Sequence, residues 1–154
     1  QQHNWQQPLR GDWTVQLNEA VLAAPAPVVL VAHSLGCILT AWWARHAPPA
    51  VVGKVQAALL VAPGDVEQAD LRQHLPGWVP IARQRLPFAA VVVGSQNDPY
   101  CRLARAQQLA ADWGAQWVDA GAAGHINSAS QLGDWPQGHA LLQDLVKDTV
   151  HGKR

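Results

Sequence analysis

The chain has 154 residues, enough for one domain with its own core, and positions 1–154 read as a single unit. Its 11 basic and 11 acidic residues cancel to a net charge of 0, and only 14% of positions are charged. That balance offers no basic face to displace counterions from nucleic acid or to hold an anionic membrane. Apolar runs such as VVLVA are far shorter than a membrane span. With 49% hydrophobic residues the chain is too apolar to remain disordered. Two cysteines, Cys37 and Cys101, do not make a disulfide framework, and free buried thiols in a cytoplasmic protein are expected.

Residues 1–11 are polar and read as irregular, with no charged-then-apolar leader. The sequence contains no Met, so Gln1 is read as lying downstream of the natural start. Asp12 is expected to cap a helix through about Ala24, with Trp13, Leu17, Ala20 and Val21 on its inner face. Pro25 and Pro27 end it. Residues 28–33 are a continuous branched apolar run, as in a parallel strand covered on both faces. A helix over 35–46 follows, then a strand at 57–62 and a short helix near 68–74. A Pro-rich connector leads to a strand at 88–94. A helix is expected over 99–113, with Leu103, Ala106, Ala110 and Trp113 inward and Gly114 closing it. A short strand at 115–119 precedes the Gly/Ala loop 120–124, and a last helix runs from about Pro136 to Val150. Alternation of strand and helix predicts an α/β fold, three-layer α/β/α, with a mostly parallel sheet.

The chemistry is concentrated where the first strand meets its helix. Ala32-His33-Ser34-Leu35-Gly36 is a nucleophile elbow with Ala in place of the first glycine. A serine perched on so tight a turn needs small residues two before and two after it, because strand and helix pass close together there. Ala32 and Gly36 meet that need. The Leu35 N–H, opening the helix, is the expected oxyanion donor. Ser34 could equally serve as a plain helix N-cap. The partners should follow in the order acid, then histidine, each after a later strand. Asp98 follows the strand 88–94 and His125 follows the strand 115–119. Asp98 before Pro99 also suits a helix cap, and Asp65, one strand earlier, is the rival acid. His33 is read as lining the pocket mouth or simply packing. The remaining histidines lack metal-ligand spacing, so zinc is not expected. Most of the eight tryptophans read as core, with Trp78 and one of Trp42 or Trp43 as candidates to line an acyl pocket.

Taken together, VLVAHSLGC, SQNDPYC and GHINSASQLGDWPQG resemble the small serine hydrolases of the retinoblastoma-binding-protein type, whose bacterial members are YdeN-like. The likeness covers nearly the whole chain. It implies a compact α/β hydrolase without a lid domain, with Ser34 as nucleophile, Asp98 as acid and His125 as base, and no cofactor. The implied reaction is cleavage of a small carboxylic ester or activated amide through an acyl-serine. Members of that group open with an apolar strand and a turn supplying a second oxyanion donor. Nothing before Asn4-Trp5 matches these, so an N-terminal strand is expected to be missing, with the place beside strand 28–33 either left without a neighbour or filled by another chain. The alternative function is a protein-interaction module on the same fold, with no partner indicated. The ordered Ser, Asp and His favour the enzyme.

Overall fold

The computed structural model describes residues 9–126 and 136–150. Six α-helices and four strands alternate along them: α1 (Arg10–Ala23), β1 (Val28–His33), α2 (Leu35–His46), α3 (Pro49–Val52), β2 (Val55–Val61), α4 (Ala69–His74), β3 (Ala89–Gly94), α5 (Leu103–Trp113), β4 (Gln116–Asp119) and α6 (Pro136–Val150). The strands form one parallel sheet in the order β1-β2-β3-β4. Side chains alternate across it, because successive residues of a strand point to opposite faces. Ala58, Leu60, Ala90 and Val92 share one core with Trp13 and Val21 of α1, Ile38 of α2 and Leu109 of α5. On the opposite face, Ala57, Leu59, Val61, Val91 and Val93 share a second core with Leu145 of α6, and Leu141 and Leu142 pack on it. The result is a three-layer α/β/α fold.

Several boundaries differ from the sequence reading, each for a local reason. Helix α1 starts at Arg10 rather than after Asp12, and its N-cap, Leu9, makes no side-chain cap bond. Asp12 instead lies in the first turn, where a carboxylate complements the helix dipole. Trp13 and Val21 are buried as expected, but Ala20 faces solvent. Helix α5 begins at Leu103, not near Pro99. The Asp98 carboxylate accepts the Tyr100 N–H at 2.8 Å, which folds 98–100 into a turn before the helix can start. Gly114, at φ 67°, closes α5 in the left-handed conformation the sequence predicted. The four-residue helix α3 was not anticipated.

Strand β1 departs most from expectation. It is not covered on both faces but lies at the edge of the described sheet, with β2 on one side and no strand among the described residues on the other. Val31 is 61% exposed there. This free side is the place for which the sequence reading expected either no neighbour or another chain. A groove of about 350 Å³ runs along it, lined by Trp13, Leu17, Leu30, Val31 and Leu39.

Candidate active site

The parallel register brings the C-terminal ends of all four strands to one edge, where loops from successive strands converge. Such an edge is where open α/β sheets place their chemistry. Ser34 follows the last residue of β1 and holds φ 57°, ψ −116°, a left-handed backbone that costs on the order of 1–3 kcal/mol for a residue bearing a side chain. The conformation lifts Oγ out of the helix, and the side chain makes no cap bond. Ser34 occupies the N-cap position without acting as a cap. A Cβ built on Gly36 would meet the Ala32 Cβ at 3.4 Å, an ordinary contact distance, so strand and helix pass close together here.

The structure brings three of the predicted residues into one chain of hydrogen bonds. Ser34 Oγ lies 2.8 Å from His125 Nε2. His125 Nδ1 lies 2.9 and 3.0 Å from the two Asp98 oxygens. The Asp98 side chain is 2% exposed and that of His125 9%. A carboxylate only accepts, so Nδ1 carries the proton and Nε2 presents a lone pair to the serine hydroxyl. The Leu35 N–H opens α2, where the first-turn amides lack intrahelical acceptors.

The rival acid is turned elsewhere. Asp65 accepts the Glu67 N–H at 3.1 Å and pairs with Arg105 at 3.2 Å. Arg105 also pairs with Glu67, which binds Arg83 and accepts the Ile81 N–H. Burial works against the Glu67 charge, but these donors and cations hold its carboxyl below the usual range. The network ties the loop after β2 to the connector and α5, away from the imidazole.

Of the tryptophan candidates for an acyl pocket, Trp78 and Trp43 are core residues and Trp42 is partly buried against the core. Trp78 is 1% exposed with its ring edge-on to Trp13, and the buried Trp43 donates to Asn18 Oδ1 at 3.0 Å. Trp42 is covered by the Arg10 guanidinium, 3.4 Å from the ring centre. Both cysteines are free and buried, and burial pushes the Cys101 thiol up to about 12. Among the described residues no group of three or more His, Cys, Asp or Glu side chains could hold a metal, and no helix is long and apolar enough to cross a membrane. The segment Asn127 to Trp135, part of the third motif, lies outside the described residues.

Sequence reasoning missed several contributors. Gly64 lies over Ser34: a Cβ there would stand 3.3 Å from Ser34 Oγ and 4.0 Å from the Leu35 nitrogen. Ser95 and Asn97 hold the loop carrying His125. Ser95 Oγ accepts the Ala123 N–H at 3.0 Å, and Asn97 Oδ1 accepts the Gly124 N–H at 2.7 Å. Their adjacency to Asp98 in SQND was the one available signal.

An open parallel sheet, helices on both faces and a serine on a strained strand-to-helix turn define an α/β hydrolase of compact form. The model of the serine hydrolase family matches residues 1–144, and the chain belongs to that family. Among solved structures it is similar to a YdeN-like hydrolase of Pectobacterium atrosepticum, at 25% identity over 97% of this chain and 75% of the other, with a TM-score of 0.82. It is also similar to the ydeN gene product of B. subtilis, at 18% identity over 95% and 80%, TM-score 0.76. A third likeness is to the type II thioesterase BorB of the borrelidin biosynthetic cluster, at 18% identity over 92% and 73%, TM-score 0.62. No curated protein sequence matches significantly.

Proposed function

We propose that this hydrolase is carboxylesterase-like, cleaving a small carboxylic ester or activated amide through an acyl-Ser34 intermediate. The observation that carries the reading is the relay from Ser34 Oγ through His125 to the buried Asp98, at 2.8 and 2.9 Å. In the first half-reaction His125 Nε2 takes the Ser34 proton as Oγ bonds to the substrate carbonyl carbon. The Leu35 N–H donates to the resulting oxyanion. The bond to the leaving alcohol or amine breaks, and that group departs with the proton from Nε2. Water then enters, yields a proton to Nε2, and its oxygen attacks the acyl carbon. The carboxylic acid leaves and Ser34 Oγ recovers the proton. Asp98 holds the imidazole in the required tautomer and stabilises the imidazolium formed in each half. Balanced charge supports a small-molecule substrate rather than nucleic acid or membrane, and two free buried thiols support a cytoplasmic setting.

A fluorophosphonate probe tests this without knowledge of the substrate, because it reports an activated serine. Wild-type protein should be labelled at Ser34, and Ser34→Ala should lose both labelling and hydrolysis of p-nitrophenyl acetate while keeping its melting temperature. Labelling of Ser34→Ala at another serine would refute the assignment.

A further inference from the structure

The loop that presents His125 has little apolar substance of its own. It runs Ala120-Gly121-Ala122-Ala123-Gly124-His125-Ile126, and Gly121, Gly124 and Ile126 all take positive φ. Beyond Ile126 in the second core, with Ala120 and Ala123 packed against it, the segment gains little from burial and loses much backbone entropy on ordering, so polar ties help to hold it. Three ties come from the loop after β3 and lie before the histidine. Gln96 N–H donates to the Gly121 carbonyl at 2.7 Å, and Ser95 and Asn97 accept from Ala123 and Gly124.

A fourth tie has a different origin. His33, the last residue of β1 and the neighbour of Ser34, reaches across 92 positions to His125 itself. Its Nε2 stands 2.7 Å from the His125 carbonyl oxygen. A carbonyl only accepts, so His33 carries its proton on Nε2 and donates. The His33 ring also lies 4.7 Å from the His125 ring, centre to centre, with Tyr100 at 4.6 Å. His33 is exposed to solvent on one side, yet the atoms packed about its ring desolvate it, and this, ahead of all else, lowers its proton affinity and favours the neutral ring.

We propose that His33 is a positioning residue, setting the distance between Ser34 Oγ and His125 Nε2 by tying the His125 main chain to the strand that carries the serine. The inference rests on the proposed roles of Ser34 and His125. Nucleophile and base sit on loops of β1 and β4, at opposite sides of the described sheet, so small slips of either loop change their separation directly. A hydrogen bond anchored one residue from the nucleophile and ending on the base's own carbonyl shortens that path to three residues and a single hydrogen bond. Proton transfer tolerates little slack, and a displacement of about 1 Å can cost ~10²-fold in rate.

The test compares His33→Phe, which keeps a flat ring but no donor, with His33→Gln, whose amide N–H can reach the same carbonyl. His33→Ala serves in place of the Phe variant if the larger ring fails to fold. Each is assayed for melting temperature, the acylation rate at Ser34 with a fluorophosphonate, and kcat and KM for p-nitrophenyl acetate. The donor-less variant should acylate ~10²-fold more slowly, with the loss in kcat rather than KM, and Gln should restore most of the rate. Melting temperatures of the two variants should agree. If wild type labels at Ser34 and the donor-less variant labels equally fast, His33 has no positioning role. A Gln variant as slow as the Phe variant would overturn it too. If wild type is not labelled at Ser34, the proposed function fails first and this inference with it.

Discussion

Replacing Asp98 by Asn separates geometry from proton placement. The amide matches the carboxylate in size, and its oxygen can keep the Tyr100 N–H bond of 2.8 Å. That retained bond turns the new NH2 toward His125 Nδ1, which now lies 2.9 Å from the second Asp98 oxygen. An amide N–H there needs an acceptor, so the imidazole must move its proton to Nε2. Nε2 can then no longer accept from Ser34 Oγ at 2.8 Å, and the base is lost with the fold unchanged. The comparable change in a serine protease costs ~10⁴ in kcat, equivalent to about 5.4 kcal/mol of barrier. Asp65→Asn provides the internal control. It weakens the pair with Arg105, whose side chain is 28% exposed, and leaves His125 untouched. Steady-state hydrolysis of p-nitrophenyl acetate, with melting temperatures measured in parallel, should show a loss of ~10⁴ for Asp98→Asn and less than ~10 for Asp65→Asn. Equal losses, or the reverse ranking at preserved stability, would refute the reasoning.

Gly64→Ala places a methyl group 3.3 Å from Ser34 Oγ, in the space a substrate carbonyl must enter to reach attack distance. Its kcat/KM should fall by ~10² with little change in melting temperature, and a wild-type value would show that substrate approaches from another side. Stability should also fall at both ends of the pH range. The folded state disfavours protonated His33, so its contribution is complete above the ordinary value of 6.5 and is lost as pH falls below it. Buried Cys37 and Cys101 resist ionisation, so their contribution is complete below the ordinary value of 9.0 and is lost as pH rises above it. Melting temperatures of wild type and of a Cys37→Ala, Cys101→Ala double variant should diverge in slope above that value; parallel slopes would assign the alkaline loss to other groups.

Local pattern by itself determined the strand runs, the alternation with helices, the small residues about Ser34 and the chain order of serine, acid and histidine. Each depends on neighbours a few positions apart, through side-chain periodicity or the sterics of one turn. Even so, a capping role for Asp98 and a rival role for Asp65 could not be separated on those terms, since both follow a strand and precede a helix. Tertiary structure decided between them. Parallel pairing sets Gly94 beside Asp119, and the Ala120 N–H donates to the Gly94 carbonyl, so the loops after β3 and β4 leave the sheet together. Asp98 therefore meets His125, while Arg105 draws Asp65 away. The same holds for β1, whose apolar run looks like a strand covered on both faces although Val31 on one of them is 61% exposed. The tie from His33 to the His125 carbonyl is likewise invisible in the sequence. It joins residues 92 apart through a backbone oxygen, which every residue carries and no sequence pattern marks.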